Sequence, residues 1–180
     1  MTNKLYFYNK NIMKILVKVV LYFVLCISLS NCVNWGAGNR NVDSVQSDNY
    51  KPIIVSRTVL ENSVIAQTSQ NTVLAGKLYI KDNLMFLNEK NKGFHVFNYT
   101  DAQNPVKMGF IKVSGATDLA IRNNLLYINQ AVDLLTIEYL PINNSIIIKN
   151  RNRNVFPQKK SPTGRTGSTN PEEIVIDWTL

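Results

Sequence analysis

Few residues of this chain have the potential for chemistry, and their spacing forms no known catalytic or metal-binding set. His95 is the only histidine among 180 residues, whereas a typical zinc site needs several His or Cys ligands. No Gly-x-Ser-x-Gly motif and no glycine-rich phosphate loop occurs. We therefore predict a non-enzymatic protein without catalytic residues, metal or cofactor, in which His95 has a packing or surface role.

Three aspartates, Asp101, Asp118 and Asp133, could be imagined as an acidic trio for a cation. Asp101 falls in a predicted turn, and Asp133 falls in a predicted strand beside apolar residues. Short acidic side chains commonly hydrogen-bond to the backbone of turns. We therefore favour turn and strand-edge hydrogen bonding over metal binding for these residues.

A basic cluster near the C-terminus contains Lys149, Arg151 and Arg153. Such a cluster could contact anionic lipid headgroups or polysaccharide, and the alternative is a solvated tail. Phe156 is the single aromatic residue nearby, whereas single-stranded nucleic acids bind to interleaved aromatic and basic residues. We predict no nucleic-acid partner.

The two cysteines lie at the N-terminal end, Cys26 inside an apolar run and Cys32 just after it. The run from Ile15 to Ile27 is about 13 residues long, while a membrane-spanning helix needs about 20. It follows a basic flank without acidic residues, which is typical of a signal peptide. Translation could start at Met1 or at Met13.

The run ends in Leu29-Ser30-Asn31-Cys32, which resembles the bacterial lipobox. The resemblance implies cleavage before Cys32, attachment of lipid to its thiol, and anchoring of a lipoprotein in the cell envelope, at the outer membrane. The alternative is an uncut N-terminal anchor helix. Cleavage would remove four of the 20 basic residues and none of the 12 acidic ones, lowering the net charge from +8 to +4.

Four segments are predicted from the pattern of the chain: a signal peptide over 1–31, a flexible tether over 32–51, a β-repeat region over 52–140, and a basic, mostly irregular tail over 141–180. The tether is rich in Gly, Asn and Ser and has no apolar period. In the β region, Asp82-Asn83 and Asn123-Asn124 separate short apolar runs as hairpin turns, because both residue types tolerate positive φ. In the tail, residues 143–148 could add one strand, and the run near Trp178 could be a strand or a docking peptide.

An internal repeat with an offset of 41 residues relates Leu78–Asn88 to Leu119–Asn129. A period near 40 built from four short strands is the size of a β-propeller blade. The repeats are expected at about 77–117 and 118–140. The predicted fold is therefore all-β, with two antiparallel, propeller-blade-like repeats.

Three segments, Ser56–Val64, Gly76–Asn83 and Phe94–Pro105, resemble bacterial lipoproteins with LVIVD-type repeats. The resemblance covers roughly residues 50–140 and implies blades in an exported or cell-surface protein, without catalytic residues to carry over. A ring of four blades needs about 160 residues, so this region predicts a partial propeller.

The predicted function is a binding or scaffold module of the cell envelope. It would be held to the membrane through Cys32 and would contact another envelope protein or a polysaccharide. The alternatives are an accessory subunit or small envelope enzyme, and a truncated propeller without independent function.

Overall fold

The computed structural model describes residues 13–22, 49–168 and 170–180. The chain divides into two units, Met1–Gln46 and Ser47–Leu180. In the first unit, residues 13–22 are helical and their side chains are exposed. No helix in the described ranges is both long and apolar enough to cross a membrane.

The second unit is built almost entirely of β-strands. Its described elements are β1 (Lys51–Ser56), α1 (Arg57–Asn62), β2 (Ile65–Gln67), β3 (Ala75–Lys81), β4 (Leu84–Glu89), β5 (Gly93–Asn98), β6 (Val106–Lys112), β7 (Ala116–Arg122), β8 (Leu125–Gln130), β9 (Asp133–Leu140), β10 (Ser145–Asn152) and β11 (Glu173–Thr179). The single short helix begins at the N-cap Ser56, whose Oγ accepts a hydrogen bond from the backbone N–H of Val59 at 3.3 Å.

The strands form two antiparallel sheets and a ribbon. Sheet 1 has the order β2-β6-β5-β4-β3, sheet 2 has the order β10-β9-β8-β7, and β1 pairs with β11 in the terminal ribbon. Strands β3 to β6 and β7 to β10 are two successive four-stranded meanders, each the size of a propeller blade. The predicted all-β fold with two blade-like repeats is therefore confirmed, and neither sheet closes into a barrel.

Both predicted hairpin turns are confirmed. Asp82 joins β3 to β4 with φ 53°, and Asn123 joins β7 to β8 with φ 54°. The two turns are related by the 41-residue offset. A left-handed backbone is tolerated there because the short polar side chains of Asp and Asn reduce its cost.

The segment predicted as a mostly irregular tail differs from that expectation. Strand β10 completes sheet 2 beside β9, so the second repeat continues to Asn152 instead of ending at residue 140. Strand β11 pairs with β1 across more than 100 residues of sequence. Ile174 and Val175 of β11 are fully buried, which makes this strand an integral part of the second unit.

The main hydrophobic core lies between the facing sides of sheets 1 and 2. It is formed by buried aliphatic and aromatic side chains of both repeats, including Phe86, Phe94, Leu126, Ile128 and Ile137. Because strand side chains alternate between faces, each sheet contributes one face to this core. The edge-on packing of Phe86 against Tyr139, with ring centroids 6.2 Å apart, joins the two repeats directly.

The terminal ribbon and α1 cover one end of the two-sheet stack. Leu60 of α1, Val132 after β8 and Ile174 of β11 form a second, smaller core there. The opposite end carries the β3–β4 and β7–β8 hairpins. The stack therefore has a covered end and a hairpin end.

Candidate binding site

The residues predicted for lipidation, Leu29, Ser30, Asn31 and Cys32, lie outside the described residues. The same is true of nearly all of the predicted tether.

The three cations predicted to contact anionic surfaces each form an ion pair within the chain. Lys149 lies 2.8 Å from Glu138, Arg153 lies 2.8 Å from Glu61, and Arg151 lies 2.8 Å from Asp133. The three carboxylates neutralise much of the positive charge of the cluster. Arg151 is also largely buried, so an external ligand would reach Lys149 and Arg153 more easily.

Asp133, the first residue of β9, is the centre of a buried ionic network. Its carboxylate accepts hydrogen bonds from Arg57 at 2.7 and 2.8 Å, from Arg151 at 2.8 Å and from the backbone N–H of Asn154 at 3.1 Å. Burial opposes ionisation, but these donors together hold the pKa of Asp133 below its ordinary value. The network joins α1, β9 and β10, which is a structural role.

Asp101 and Asp118 are likewise engaged by neighbouring groups and lie in different parts of the fold. Asp101 accepts hydrogen bonds from the Asn104 side chain and the Gln103 backbone, both at 2.9 Å, as expected for a turn residue. Asp118 pairs with Lys77 at 2.6 Å and also accepts from the Tyr79 hydroxyl. The described residues contain no cluster of three or more potential metal ligands.

His95 is buried in sheet 1, where it packs against Phe110 with ring centroids 4.9 Å apart. Its Nε2 donates to the Glu89 carboxylate at 3.0 Å. Glu89 also accepts from the backbone N–H groups of Val73 and Leu74 at 3.0 and 2.6 Å. Burial opposes ionisation of Glu89, yet these hydrogen bonds hold its pKa below the ordinary value. The role of Glu89 was missed because it depends on the pairing of β4 with β5 and on how the loop before β3 folds over the end of β4.

A cleft of about 510 Å³ opens at the hairpin end, between sheets 1 and 2. Apolar side chains of both sheets form its inner surface, and polar side chains of the two equivalent hairpins form its rim. We call it the inter-sheet cleft. Its apolar lining includes Leu84, Phe86, Ile121, Leu126 and Tyr139, and its polar rim includes Lys81, Asp82, Asn83, Asn98, Thr100, Asn123, Asn124 and Glu138.

The rim of the inter-sheet cleft is dominated by side-chain amides. Asn83, Asn123 and Asn124 are exposed, and their amides make no hydrogen bond within the described parts of the chain. An amide both donates and accepts hydrogen bonds. The two charged pairs at the rim, Lys81 with Asp82 and Lys149 with Glu138, are internally neutralised. The cleft therefore suits a neutral polar ligand better than a charged one.

Tyr139 stands at the inner wall of the cleft, and two contacts define its position. Its hydroxyl donates to Asn144 Oδ1 at 3.0 Å, while Asn144 Nδ2 donates to the carbonyl of Gln67 in β2 at 2.8 Å. Burial raises the pKa of Tyr139, so its hydroxyl keeps the proton that it donates to Asn144. Asn144 thereby links the two sheets beside the cleft.

In comparisons with known proteins, no protein-family model, no curated protein and no solved structure matches this chain.

Proposed function

We propose that this chain is a non-enzymatic binding module of the bacterial cell envelope, which is anchored to the outer membrane by lipid on Cys32 and binds a neutral saccharide segment in the inter-sheet cleft. The observation that carries the proposal is the cleft itself, about 510 Å³ in volume, with an apolar interior and an amide-rich rim. Concave sites that combine apolar walls with a few convergent polar groups are typical of small-ligand binding.

The chemistry of the rim supports a saccharide as the ligand. Sugar hydroxyls both donate and accept hydrogen bonds, and so do the amides of Asn83, Asn123 and Asn124. The apolar faces of sugar rings can pack against the half-buried side chains of Leu84 and Ile121, which line the cleft. An envelope location would give such a site access to polysaccharide, consistent with the lipobox-like Leu29–Cys32 segment and with the LVIVD-type repeats that the chain resembles.

Binding can be tested by titration calorimetry of the membrane-extracted protein with two neutral probes, a glucose hexasaccharide and an N-acetylglucosamine hexasaccharide. We expect one of them to bind, and the double variant Asn83→Ala/Asn124→Ala to weaken its binding about fivefold or more, because two hydrogen bonds of about 0.5–1.5 kcal/mol each are lost. The matched control is Asn62→Ala/Asn71→Ala, which removes two exposed amides that do not line the cleft. Equal weakening by both double variants, or no binding of either probe, would contradict the proposal.

The anchor can be tested separately by the intact mass of the membrane-extracted protein. We expect the mass of residues 32–180 plus acyl groups, and loss of the acyl mass in Cys32→Ala. An unmodified full-length product in the soluble fraction would contradict the envelope location and would leave the cleft proposal to be judged by the titration alone.

A further inference from the structure

A second cavity, of about 550 Å³, lies at the covered end of the stack, opposite the inter-sheet cleft. It is bounded by the first residues of β3 and β7 and by the turn after β4. We call it the lysine pocket. Its polar lining consists of Lys77, Lys90, Lys159, Asn88, Asn91 and Thr117.

The same irregularity borders the pocket in both repeats. The register of β3 with β4 shifts between Ala75 and Leu78, and that of β7 with β8 shifts between Ala116 and Asp118. Such bulges bend a strand and are over-represented next to functional sites. Gly76 contributes to the shape of the pocket, since a Cβ there would lie only 2.5 Å from Asn88 Oδ1.

Lys159 reaches the pocket from the segment between β10 and β11 and is half-buried. Its Nζ donates to Asn91 Oδ1 and, at 3.5 Å, to the carbonyl of Ile176. Its own carbonyl accepts from the Trp178 indole at 3.2 Å, which positions the backbone. Burial lowers the pKa of Lys159, so an anion nearby would stabilise its charged form.

The positive charge of the pocket is only partly balanced by the chain. Lys77 is paired with Asp118, and Asp177 accepts from Asn91 Nδ2 at 2.6 Å close to Lys159. Lys90 is exposed and forms no ion pair with any described residue. The side chains of Lys77, Lys90 and Lys159 all line this one cavity, and a lysine ammonium carries a positive charge.

We propose that the lysine pocket binds a phosphate group, carried either by a small soluble molecule or by a phospholipid headgroup. Lysine binds phosphate as a point charge, and the Thr117 hydroxyl can donate a hydrogen bond to a phosphate oxygen. The amides of Asn88 and Asn91 already donate to the Gly93 carbonyl and to Asp177, which leaves one N–H of each as a further donor. The site is independent of the inter-sheet cleft, because it lies at the other end of the strands and selects for negative charge.

The test uses the full-length protein with two probes, inorganic pyrophosphate and water-soluble dihexanoyl phosphatidic acid, followed by titration calorimetry. Lys90→Gln should weaken binding about three- to tenfold, as expected for the loss of one charged contact. Lys92→Gln is the matched control. It removes the same charge two residues further along the chain, and the Lys92 side chain lines a different cavity. Tighter binding of pyrophosphate would identify a soluble ligand, and tighter binding of phosphatidic acid a headgroup.

A second variant is expected to tighten binding, a result that misfolding could not produce. Asp118→Asn releases Lys77 from its ion pair while leaving an oxygen that can accept from Tyr79, so it should tighten probe binding about two- to fivefold. Equal weakening by Lys90→Gln and Lys92→Gln, unchanged or weaker binding in Asp118→Asn, or no binding of either probe at millimolar concentration would overturn the proposal.

Discussion

Glu89 and Gln130 occupy equivalent positions at the ends of β4 and β8, and both are fully buried. Glu89 accepts hydrogen bonds from its backbone partners, whereas Gln130 donates them. The Glu89 carboxylate accepts from the backbone N–H groups of Val73 and Leu74. The Gln130 amide donates to the carbonyl of Leu60 at 3.0 Å and to Ser63 Oγ at 3.2 Å. In each repeat, this position therefore binds a preceding segment to the sheet: an acidic side chain accepts from the N–H groups of the loop before β3, and an amide donates to a carbonyl of α1.

The two repeats also differ in what covers equivalent apolar positions. Leu119 in β7 is 5% exposed because it faces sheet 1, whereas its equivalent Leu78 in β3 is 51% exposed. The next apolar pair behaves alike, since Ile121 packs against the core and Ile80 is exposed. The outer face of sheet 1 therefore carries the apolar residues that sheet 2 uses to pack against its neighbour.

The largest effect is expected from Asp133→Ala, which has no counterpart in repeat 1, where Gly93 stands at the first position of β5. The variant would leave Arg57 and Arg151 without their shared carboxylate in a largely buried setting. Removing one partner of a buried ion pair costs about 3–5 kcal/mol, which urea unfolding of variant and parent would measure. A loss below about 1 kcal/mol would show that water or another acceptor replaces Asp133.

The variants Leu119→Ala and Leu78→Ala measure how much the buried face of sheet 2 and the exposed face of sheet 1 contribute to stability. The same truncation on equivalent strands should cost about 2–4 kcal/mol at buried Leu119 and less than about 1 kcal/mol at exposed Leu78. The β-propensity change is shared by the two variants and cancels in their difference. Equal costs in urea unfolding would mean that the outer face of sheet 1 is covered in solution.

The two fastening positions are compared by Glu89→Ala and Gln130→Ala. Glu89→Ala leaves two backbone N–H groups and His95 without an ionised acceptor, so it should destabilise the protein by about 2–3 kcal/mol. Gln130→Ala removes neutral hydrogen bonds and should cost about 1–2 kcal/mol. The order of the two free-energy losses in urea unfolding is the readout, and a larger loss for Gln130→Ala would reverse the interpretation.

The smallest effect is the acid dependence of stability. Folding lowers the pKa values of Glu89 and Asp133 below their ordinary values of 4.5 and 3.8, so the unfolded chain binds these protons more readily. Their stabilisation is complete above about pH 4.5 and is lost as the pH falls through the folded pKa values. In urea unfolding between pH 6 and pH 3, Glu89→Ala and Asp133→Ala should each show a flatter pH dependence than the parent.

Local features of the fold were accessible from the sequence, and long-range ones were not. The hairpins at Asp82 and Asn123 were predicted because a turn depends on adjacent residues, and the repeat was visible as a 41-residue offset. The pairing of β11 with β1 was missed because it joins segments more than 100 residues apart. The partners of Glu89 were missed because they depend on how the loop before β3 folds over the end of β4. The inter-sheet cleft was also missed, although its rim residues Asn83, Asn123 and Asn124 stood in the predicted turns.

The order of amino acids is enough to predict the alternation of apolar side chains and the turn residues, because these depend on the backbone preferences of neighbouring residues, and the doubling of the blade-like unit, because the repeat is visible in the sequence. The packing of the sheets, by contrast, buries Leu119 and leaves Leu78 exposed, pairs Arg151 with Asp133, and brings Lys77, Lys90 and Lys159 to one cavity. The physical reason is that burial and electrostatic pairing depend on which segments pack together. The distance between two segments along the chain does not indicate whether they pack together.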